Sequence, residues 1–465
     1  MYLDLGPGRL KGLELDHVYL LYSLLFSLGI LLLLPRFLFD ALGHGKYVEG
    51  LRQRLGSLPY IEAGGRPVIW LHCVSVGETQ AARPLAQAIL ERFPRHLLVV
   101  STITRTGQRV AREVFRREAA AVIYFPFDWA WSVRRALRRV NPRIVLVMET
   151  ELWPRFLLEC RRGGIPTALV NGRLSEKSFR RYRLIGRFIK RVVGCLELAL
   201  MQSEEDARRI GELGLESARI EVSGNLKFDL LTSSEEYELT ESLKERFGLD
   251  QSVPLLVAAS THQGEERLCL EAFRRLRASN EGRQPRLLIA PRHPERFEEV
   301  AALLDSSGLV CARRSEAPVD SDRTCDAILL DSIGELRAVY PLATLVFVGG
   351  SIAPVGGHNV LEPASAGACV ITGAHTKNFA AIIEAFLKRD ALVQLPALGE
   401  DEAPAEMARV FGELLSDDLR RRRMVERALE AIDENRGATH YTAERIARLL
   451  SDAPLKNGGA QRGVG

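Results

Sequence analysis

The sequence predicts an α/β protein that is built from two doubly wound parallel sheets. The chain has 465 residues, which is more than one hydrophobic core usually supports, so we expect about two domains. Short, nearly continuous apolar runs alternate with charged amphipathic stretches, a pattern typical of parallel strands that helices cover on both faces. The alternation pauses at a polar helical stretch near residues 225–252 and then restarts, which indicates two units of similar, Rossmann-like architecture.

The apolar runs predict the strands in order. In the first half of the chain we expect strands at Pro67–Val74, Leu97–Ile103, Ala121–Phe127, Ile144–Glu149, Pro166–Asn171, Ala199–Ser203 and Ile220–Ser223. In the second half we expect them at Pro254–Ser260, Leu287–Pro291, Ala327–Asp331, Thr344–Gly349, Val370–Thr372 and Leu392–Leu395. Ligands of open parallel sheets bind beyond the carboxyl ends of the strands, and for two facing sheets that place is the cleft between domains. The residues that follow each run are therefore the candidates for chemistry.

The N-terminal part of the chain predicts a membrane anchor. Val18–Leu34 is a run of seventeen residues without a charge, near the lower limit for a helix that spans a bilayer. No small-residue cleavage site of the A-x-A type follows it, which disfavours a signal peptide. Basic residues are more numerous after the run than before it, so the rest of the protein should stay cytoplasmic; those after it are Arg36, Lys46, Arg52 and Arg54. The alternative is a buried helix or one that lies at the membrane interface.

The domain limits follow from these patterns. We expect an anchor and its flank at 1–48, a first Rossmann-like domain at 49–230, a second at 231–440, and the end of a helix with a flexible tail at 441–465.

Composition excludes several classes of protein. A net charge of +4 over this length is too small to indicate nucleic-acid binding. The seven cysteines are scattered, odd in number and include no CxxC pair, so reduced thiols are expected rather than a disulfide framework or a zinc site. His293 and His358 each have one carboxylate nearby, Glu295 and Glu362, which is too few ligands for a metal, and no DxD pair is present. We expect neither a metal nor another cofactor.

In the first domain, carboxylates and a lysine follow the strands. Ser75, Gly77 and Glu78 come after the first strand, Glu149 and Glu151 come after the fourth, and Lys227 lies near the end of the domain. The stretch that ends in Glu78 is either an ordinary turn into a helix or a carboxylate that is presented to a ligand.

In the second domain, the richest stretch is residues 347–367, "FVGGSIAPVGGHNVLEPASAG". Its four glycines allow the backbone to approach a ligand closely, and exposed N–H groups at a helix start favour phosphate. Asn359 is placed to cap the following helix, with Glu362 one turn in as an acceptor for ribose hydroxyls. The alternative is a glycine-rich turn with a capping box. Arg292, between two prolines at a strand end, suits a phosphate or a carboxylate. No Walker or G-x-G-x-x-G motif is present.

A basic stretch at 178–193 predicts an amphipathic helix. Its apolar residues recur at helical spacing, and the basic residues project largely opposite; the apolar set is Leu184, Ile185, Phe188, Ile189, Val192 and Val193, and the basic set is Arg180, Arg183, Arg187, Lys190 and Arg191. Such a face is either solvated or rests on anionic lipid head groups or a phosphorylated lipid.

Seven of these motifs, in this order, resemble those of the 3-deoxy-D-manno-octulosonic acid (Kdo) transferases. They are "SVGE", "METELWP", "NGRLSEKSFRRY", "GNLKFD", "APRHPERF", "DSIGEL" and "FVGGS…GGHNVLEPA". The resemblance runs from about residue 30 to 435. Two departures from the family pattern are Arg155, after "ELWP", and Val360, in the last motif; they bear on fine acceptor contacts and not on the reaction.

The resemblance implies a GT-B glycosyltransferase, with two facing Rossmann-like domains and a cleft between them, at the cytoplasmic face of the inner membrane of a Gram-negative bacterium. The donor would be CMP-Kdo and the acceptor a hydroxyl of the tetraacylated lipid A precursor. In such enzymes the first domain binds the acceptor and the second binds the nucleotide.

The resemblance and the strand-end positions together give the candidate site. Glu78 is the expected general base of an inverting transfer, lifted to the cleft by Gly77. Glu149, preferred over Glu151, and Lys227 would stabilise the transition state, while Arg292 and the loop amides at 349–351 would stabilise the leaving phosphate. The residues expected to hold CMP-Kdo are Pro291, Arg292, His293, Gly334, Glu335, Leu336, Gly349, Gly350, Ser351, Asn359, Val360, Leu361 and Glu362. Those expected to face the acceptor or lipid are Ser75, Gly77, Arg173, Arg180, Arg183 and Arg187.

Two other functions stay open at this point. One is a noncatalytic, membrane-bound relative that acts as a scaffold, which would have lost its strand-end residues. The other is a different sugar-nucleotide enzyme of the same fold, such as a UDP-sugar transferase or an epimerase, which fold alone does not exclude.

Overall fold

The computed structural model describes residues 17–32, 50–229, 234–250, 253–279 and 284–452. The chain divides into two compact units. The first consists of Met1–Asp229 with Arg436–Gly465, and the second of Leu230–Asn435. Each contains one parallel sheet that is covered by helices, so the predicted α/β fold with two sheets is confirmed.

The sheet of the first unit has seven strands in the order β3-β2-β1-β4-β5-β6-β7. Its strands are β1 (Val68–His72), β2 (Leu97–Thr102), β3 (Ala119–Tyr124), β4 (Pro142–Met148), β5 (Thr167–Gly172), β6 (Leu198–Met201) and β7 (Ile220–Val222). The central strand β1 pairs with β2 and β4 and is buried along its whole length. A strand with helices on both faces needs apolar side chains in both directions, which explains its unbroken apolar run.

The helices of this unit follow the strands in alternation. They are α1 (17–32), α2 (Leu51–Arg54), α3 (Val76–Arg92), α4 (Arg105–Val114), α5 (Ala130–Val140), α6 (Pro154–Arg162), α7 (Glu176–Leu184), α8 (Gly186–Val193) and α9 (Glu204–Glu212). The basic stretch at 178–193, expected as one helix, is two helices that break at Ile185. Leu184 and Ile185 are 86% and 47% exposed at this break, so they do not belong to the buried face that Ile189 and Val192 form.

The sheet of the second unit also has seven strands, in the order β10-β11-β9-β8-β12-β13-β14. Its strands are β8 (Leu255–Thr261), β9 (Arg286–Pro291), β10 (Cys311–Arg313), β11 (Ala327–Leu329), β12 (Leu345–Val348), β13 (Cys369–Thr372) and β14 (Val393–Gln394). Its helices are α10 (Ser234–Phe247), α11 (Glu265–Ser279), α12 (Phe297–Asp305), α13 (Leu336–Val339), α14 (Leu361–Ser365), α15 (Ala380–Leu387), α16 (Ala403–Ser416) and α17 (Asp418–Glu434). The sequence did not predict β10, because three residues at a sheet edge carry no apolar run.

The last described helix, α18 (Ala438–Asp452), belongs to the first unit. Asp229 accepts hydrogen bonds from the N–H groups of Gly437 and Thr439 at the start of this helix, at 2.8 and 2.5 Å. Ile446 and Leu450 are buried in the core of the first unit. The sequence places 436–440 in the second domain, and it places the end of a helix with a flexible tail at 441–465. The structure has 436–440 in the first unit, and α18 extends to residue 452; residues 453–465 lie outside the described part.

Helix α1 lies along the first unit. The Tyr22 hydroxyl donates to Asp128 at 2.9 Å, and the Trp129 indole N–H donates to Ser27 Oγ at 2.9 Å. Tyr19 is fully buried and meets Phe188 of α8 edge-on. Leucines occupy the other side and are largely exposed: Leu20, Leu21, Leu24, Leu25, Leu28, Leu31 and Leu32.

The predicted membrane anchor falls partly on α1. Among the described residues, the structure contains no helix that combines the length and the apolar character needed to cross a membrane. The end of the apolar run and the basic residues Arg36 and Lys46 lie outside the described part of the chain.

Candidate functional site

Glu78 lies in the first turn of α3, just beyond the carboxyl end of β1. The Ser75 hydroxyl accepts a hydrogen bond from the Glu78 N–H at 3.1 Å. The Glu78 carboxylate reaches back and accepts from the N–H groups of Val74 and Ser75, at 2.8 and 3.1 Å. This is a capping box, so the interpretation as a helix-starting turn is correct.

The same carboxylate is also a strongly perturbed acid. Glu78 is only 5% exposed, and burial, followed by the negative charge of Glu149, raises its pKa to about 7. The hydrogen bonds from Val74 and Ser75 oppose this shift without cancelling it. A buried carboxylate with a pKa near neutrality is suited to general base catalysis, because it is both available and able to hold a proton.

Gly77 does not have the role that the sequence suggested. Its φ lies outside the left-handed region, and a Cβ at this position would meet only the Ser75 hydroxyl oxygen, at 4.0 Å. The backbone therefore does not require glycine here. The expectation that Gly77 lifts Glu78 is wrong: the capping box positions Glu78, with Ser75 as the cap.

Glu149 and Lys227 form an ion pair close to Glu78. Glu149 follows β4 in a left-handed conformation, with φ at 52°, and its Oε1 lies 3.1 Å from Lys227 Nζ. The turn that carries Lys227 is fixed by the buried Asn171, whose Oδ1 accepts from the Leu226 N–H at 3.0 Å. Strained strand-end residues persist where the surrounding structure holds them and are frequent in active sites.

The choice of Glu149 over Glu151 agrees with this arrangement, because Glu149 is the residue that pairs with the lysine. Burial, and then the charge of Glu149, raise the pKa of Glu151. The first unit thus collects three carboxylates and one ammonium group beyond the ends of β1 and β4.

The arginines expected to face lipid lie on or near α7 and α8. Arg180, Arg183 and Arg187 are exposed, and Arg173 is half-buried after β5. Arg180 pairs with Glu176 at 2.7 Å, and Arg183 lies over the ring of Phe179. Exposed pairs of this kind contribute little to stability.

In the second unit, the predicted phosphate loop already holds an anion that belongs to the protein. The buried carboxylate of Glu265 accepts hydrogen bonds from five backbone N–H groups, at distances of 2.7 to 3.1 Å; the donors are His262, Gly350, Ser351, Ile352 and Ala353. The N–H of Gly349 donates to the Ala259 carbonyl. The expectation that the amides at 349–351 hold the leaving phosphate is therefore wrong, because each already donates within the protein.

Several residues of the predicted nucleotide site have structural side chains. Val360 and Leu361 are buried in the core, and Ser351 is fully buried, with its hydroxyl donating to the Val348 carbonyl and accepting from the Gly373 N–H. Any contact that these residues make with a ligand must come from their backbone. Pro291 is likewise buried at the end of β9.

The predicted cap and ribose ligand are neighbours, as expected. Asn359 Oδ1 accepts from the Leu361 N–H at 3.1 Å, and its amide donates to Glu362 Oε1 at 3.2 Å. Burial raises the pKa of Glu362.

Salt bridges hold the loop that contains Gly334, Glu335 and Leu336. The Glu335 carboxylate accepts two hydrogen bonds from the Arg314 guanidinium, at 2.8 and 3.0 Å, and one from the Ser332 hydroxyl at 2.7 Å. Gly334 has φ at 89°, a conformation that glycine adopts readily. Leu336 begins α13.

Arg292 follows β9 near a group of histidines, and the sequence did not predict that two of them, His262 and His358, belong to one site. Its own side chain is exposed, and its charge acts on both His262 and His358. His293 also lies within this group, its ring centroid 5.1 Å from that of His262. The only feature of the sequence that could have indicated this site was the position of His262 at the end of a predicted strand. In the described part of the chain, no group of three or more histidine, cysteine or acidic residues is arranged to hold a metal ion.

Solved structures give the class of protein by fold. A UDP-GlcNAc 2-epimerase from Neisseria meningitidis, bound to UDP-GlcNAc, is similar with a TM-score of 0.56 at 13% identity, over 82% of this chain and 100% of that one. The calicheamicin glycosyltransferase CalG4 is similar with a TM-score of 0.51 at 14% identity, over 84% of this chain and 100% of that one. The protein thus has the two-sheet α/β fold that glycosyltransferases and sugar-nucleotide epimerases share.

Sequence relatives define the family. Residues 49–230 match the family described as 3-deoxy-D-manno-octulosonic-acid transferase (kdotransferase). The chain is 35% identical to the 3-deoxy-D-manno-octulosonic acid transferase of Bordetella pertussis over 385 residues, 82% of this chain and 87% of that one. It is 34% identical to that of Haemophilus influenzae over 408 residues, 87% of this chain and 91% of that one. The chain belongs to the Kdo transferase family and is a glycosyltransferase, which confirms the resemblance in its motifs.

Proposed function

We propose that this protein transfers Kdo from CMP-Kdo to the tetraacylated lipid A precursor, with inversion at the anomeric carbon and with Glu78 as the general base. The observation that carries the mechanism is the buried Glu78 carboxylate, with its pKa raised to about 7, beside the Glu149–Lys227 ion pair. The names of the relatives support Kdo as the transferred sugar. The family resemblance implies CMP-Kdo as the donor, so CMP is the expected leaving group.

The reaction is a single displacement. The oxygen of an acceptor hydroxyl attacks the anomeric carbon of Kdo, the bond from that carbon to the phosphate oxygen breaks, and CMP leaves with the electron pair. Glu78 takes the proton of the attacking hydroxyl. Because the base acts on the acceptor and not on the sugar, no covalent sugar–enzyme intermediate is needed.

Fixed positive charge stabilises the negative charge that develops during transfer. Lys227, paired with Glu149, is the cation of the first unit, and it suits the Kdo carboxylate or the phosphate. Arg292 is the proposed cation of the second unit; its side chain is exposed, and its charge acts on the Glu362 carboxylate. Gly334–Leu336 and Asn359–Glu362 are proposed to hold the cytidine and ribose.

We also propose that the protein attaches to the cytoplasmic face of the inner membrane through α1. The exposed leucines of α1 form an apolar face, and α1 packs against α8 through Tyr19, Tyr22 and Phe188. The exposed Leu184 and Ile185 lie between two helices that carry Arg183 and Arg187. An apolar face flanked by basic residues is suited to the interface of an anionic membrane, where the acceptor lipid also resides.

The direct test is mass spectrometry of the lipid A precursor after incubation with the protein and CMP-Kdo. The wild-type protein should add the mass of one or more Kdo units, and Glu78→Gln should lose about 10²–10⁴-fold in rate. Glu91→Gln, an exposed carboxylate on the same helix, is the matched control and should keep full activity. Absence of any Kdo adduct with folded wild-type protein would refute the proposed substrates, and full activity of Glu78→Gln would refute the base.

A further inference from the structure

Three histidines meet at the carboxyl ends of three neighbouring strands of the second unit. His262 follows β8, His293 follows β9, and His358 lies in the loop after β12; these strands are adjacent in the order β9-β8-β12. The rings of His262 and His293 meet edge-on, with centroids 5.1 Å apart and planes at 80°. The backbone beneath them is Gly350, where a Cβ would lie only 3.0 Å from Cδ2 and Nε2 of His358. A larger residue at this position would therefore displace the histidines.

His262 and His358 share a single hydrogen bond between their Nε2 atoms, which are 2.8 Å apart. The two rings are nearly coplanar, at 7°, with centroids 5.1 Å apart, so they meet edge to edge. One Nε2 must carry the proton while the other accepts it. A second proton would place two N–H groups against each other, so the pair holds together only while it carries one proton between the two facing nitrogens.

The surroundings keep this pair neutral. Burial, together with the positive charge of Arg292 and the other histidines, lowers the pKa of His358 to about 4. The pKa of His262 is lowered as well, by burial first; Glu265 opposes the shift, while Arg292, His293 and Arg296 add to it. The Glu265 carboxylate already accepts from five backbone N–H groups, one of them that of His262. Arg296 is paired with Glu266 at 2.5 Å. The histidine cluster thus lies beside an exposed cation, Arg292, whose charge also acts on the Glu362 carboxylate.

We propose that the His262–His358 pair and Arg292 form an anion subsite, and that a phosphodiester bound there makes the pair take up one proton from solvent. The proton opens the N–H···N contact, because both Nε2 atoms then carry hydrogen and become donors to the phosphate oxygens. A bound anion favours the charged imidazole in the same way that Arg292 disfavours it in the free protein. This inference rests on the proposed function, in which the anion is the phosphodiester of the CMP-sugar donor.

The proton uptake is measurable by calorimetry. The probe is the methyl ester of CMP, a stable phosphodiester that has no proton of its own to exchange near neutral pH. Its binding is titrated at about pH 6.5 in several phosphate-free buffers that differ in ionisation enthalpy. The observed binding enthalpy is plotted against the ionisation enthalpy of the buffer, and the slope gives the number of protons taken up per ester bound. We expect an uptake of about half a proton to one proton per ester, and an affinity that falls up to about tenfold for each pH unit of increase.

Variants locate the proton. His358→Gln keeps a polar side chain of similar reach but does not ionise, so the uptake should vanish while weaker binding persists; His262→Gln should behave alike. His440→Gln, an exposed histidine of the first unit, should change neither quantity. Correlation spectra of protein labelled with nitrogen-15 at histidine give a second readout on the wild-type chain: both rings neutral when free, and at least one charged with the ester bound.

The outcomes separate this inference from the proposed function. Ester binding without proton uptake, or uptake that persists in both glutamine variants, would overturn the inference and leave the donor assignment intact. A folded protein that does not bind the ester at all would overturn the proposed donor and, with it, this inference.

Discussion

Replacing Glu78 by glutamine should remove one defined contribution to the pH dependence of stability of the first unit. The pKa of Glu78 is raised to about 7 from the ordinary value of 4.5, so the folded protein holds this proton more tightly than the unfolded chain does. The free energy of unfolding must then fall as the pH rises from about 4.5 to about 7. Because a tenfold change in proton affinity corresponds to about 1.4 kcal/mol, the fall amounts to about 3 kcal/mol.

Glutamine has no proton to lose in this range, so the variant lacks this contribution. It still accepts one backbone N–H through its amide oxygen, and it presents an NH₂ group to the other N–H, which costs about 1–3 kcal/mol at every pH. The absolute stability of the variant is therefore not the informative quantity. The informative quantity is the difference in free energy of unfolding between variant and wild type, which should shift by about 3 kcal/mol in favour of the variant between about pH 4.5 and pH 8.

The assay is urea denaturation followed by tryptophan fluorescence. All four tryptophans lie in the first unit, so the signal reports on the unit that contains Glu78; they are Trp70, Trp129, Trp131 and Trp153. Glu91→Gln should show the same pH dependence as the wild type. A difference between Glu78→Gln and wild type that is constant with pH, to within about 0.5 kcal/mol, would refute the argument that burial and Glu149 raise this pKa.

Three further predictions concern the cation, the loop anion and the apolar face. Lys227→Met should lower kcat about 10²–10³-fold, because it removes the charge that is proposed to stabilise the transition state; steady-state kinetics with CMP-Kdo measure this. Glu265→Gln should destabilise the second unit by about 3–5 kcal/mol, measured by thermal and chemical denaturation, because one amide oxygen cannot serve five N–H groups. Leu24→Ser combined with Leu28→Ser should weaken binding to anionic phospholipid vesicles about 10²-fold in a sedimentation assay, because two exposed leucines no longer enter the interface.

Two of these predictions, those for Lys227 and for the leucines, have a matched control. Lys388→Met breaks an exposed lysine–glutamate pair in the second unit and should leave kcat unchanged. Leu419→Ser removes a leucine that is 58% exposed in the second unit and should leave vesicle binding unchanged. Unaltered kcat in Lys227→Met, unaltered stability in Glu265→Gln, or unaltered vesicle binding in the leucine variant would each contradict the corresponding argument.

Parallel sheets make strand ends easy to predict from sequence. Strands such as β1 and β4 are buried on both faces, so they appear as unbroken apolar runs, and the polar residue that ends each run is conspicuous. Glu78 and Glu149 were found in this way. Their proximity follows from topology, because β1 and β4 are neighbours in the sheet. Lys227 joins them because the chain returns to the same edge of the sheet after β7.

Long-range side-chain contacts were not predictable by the same reasoning. His262 and His358 are separated by 96 positions, and nothing in the local pattern of either stretch indicates that they share a proton. Helix α18 is amphipathic, as a helix of either unit would be, so its pattern does not tell which core covers its apolar face. The Gly349–Ala353 loop does present amides in the arrangement that suits an anion, as its glycines suggested. The anion bound there is the Glu265 side chain at the start of α11. The sequence around Glu265 looks like that of any helix that begins with acidic residues, so this role was not predictable.

Glu78 and Glu265 occupy equivalent places in the two units, and their hydrogen bonds account for their different chemistry. Each is the last residue of an x-x-Gly-Glu stretch beyond a central strand, Ser75–Glu78 after β1 and His262–Glu265 after β8, and each accepts the N–H of the first residue of its stretch. An ionised carboxylate has about four acceptor sites. Glu265 is engaged by five N–H groups and has no capacity left, so it is a fixed structural anion. Glu78 is engaged by two, which orient it and leave acceptor sites for the hydroxyl of a substrate. The capping turn and the proposed general base are therefore one arrangement, because the hydrogen bonds that begin the helix also orient the carboxylate.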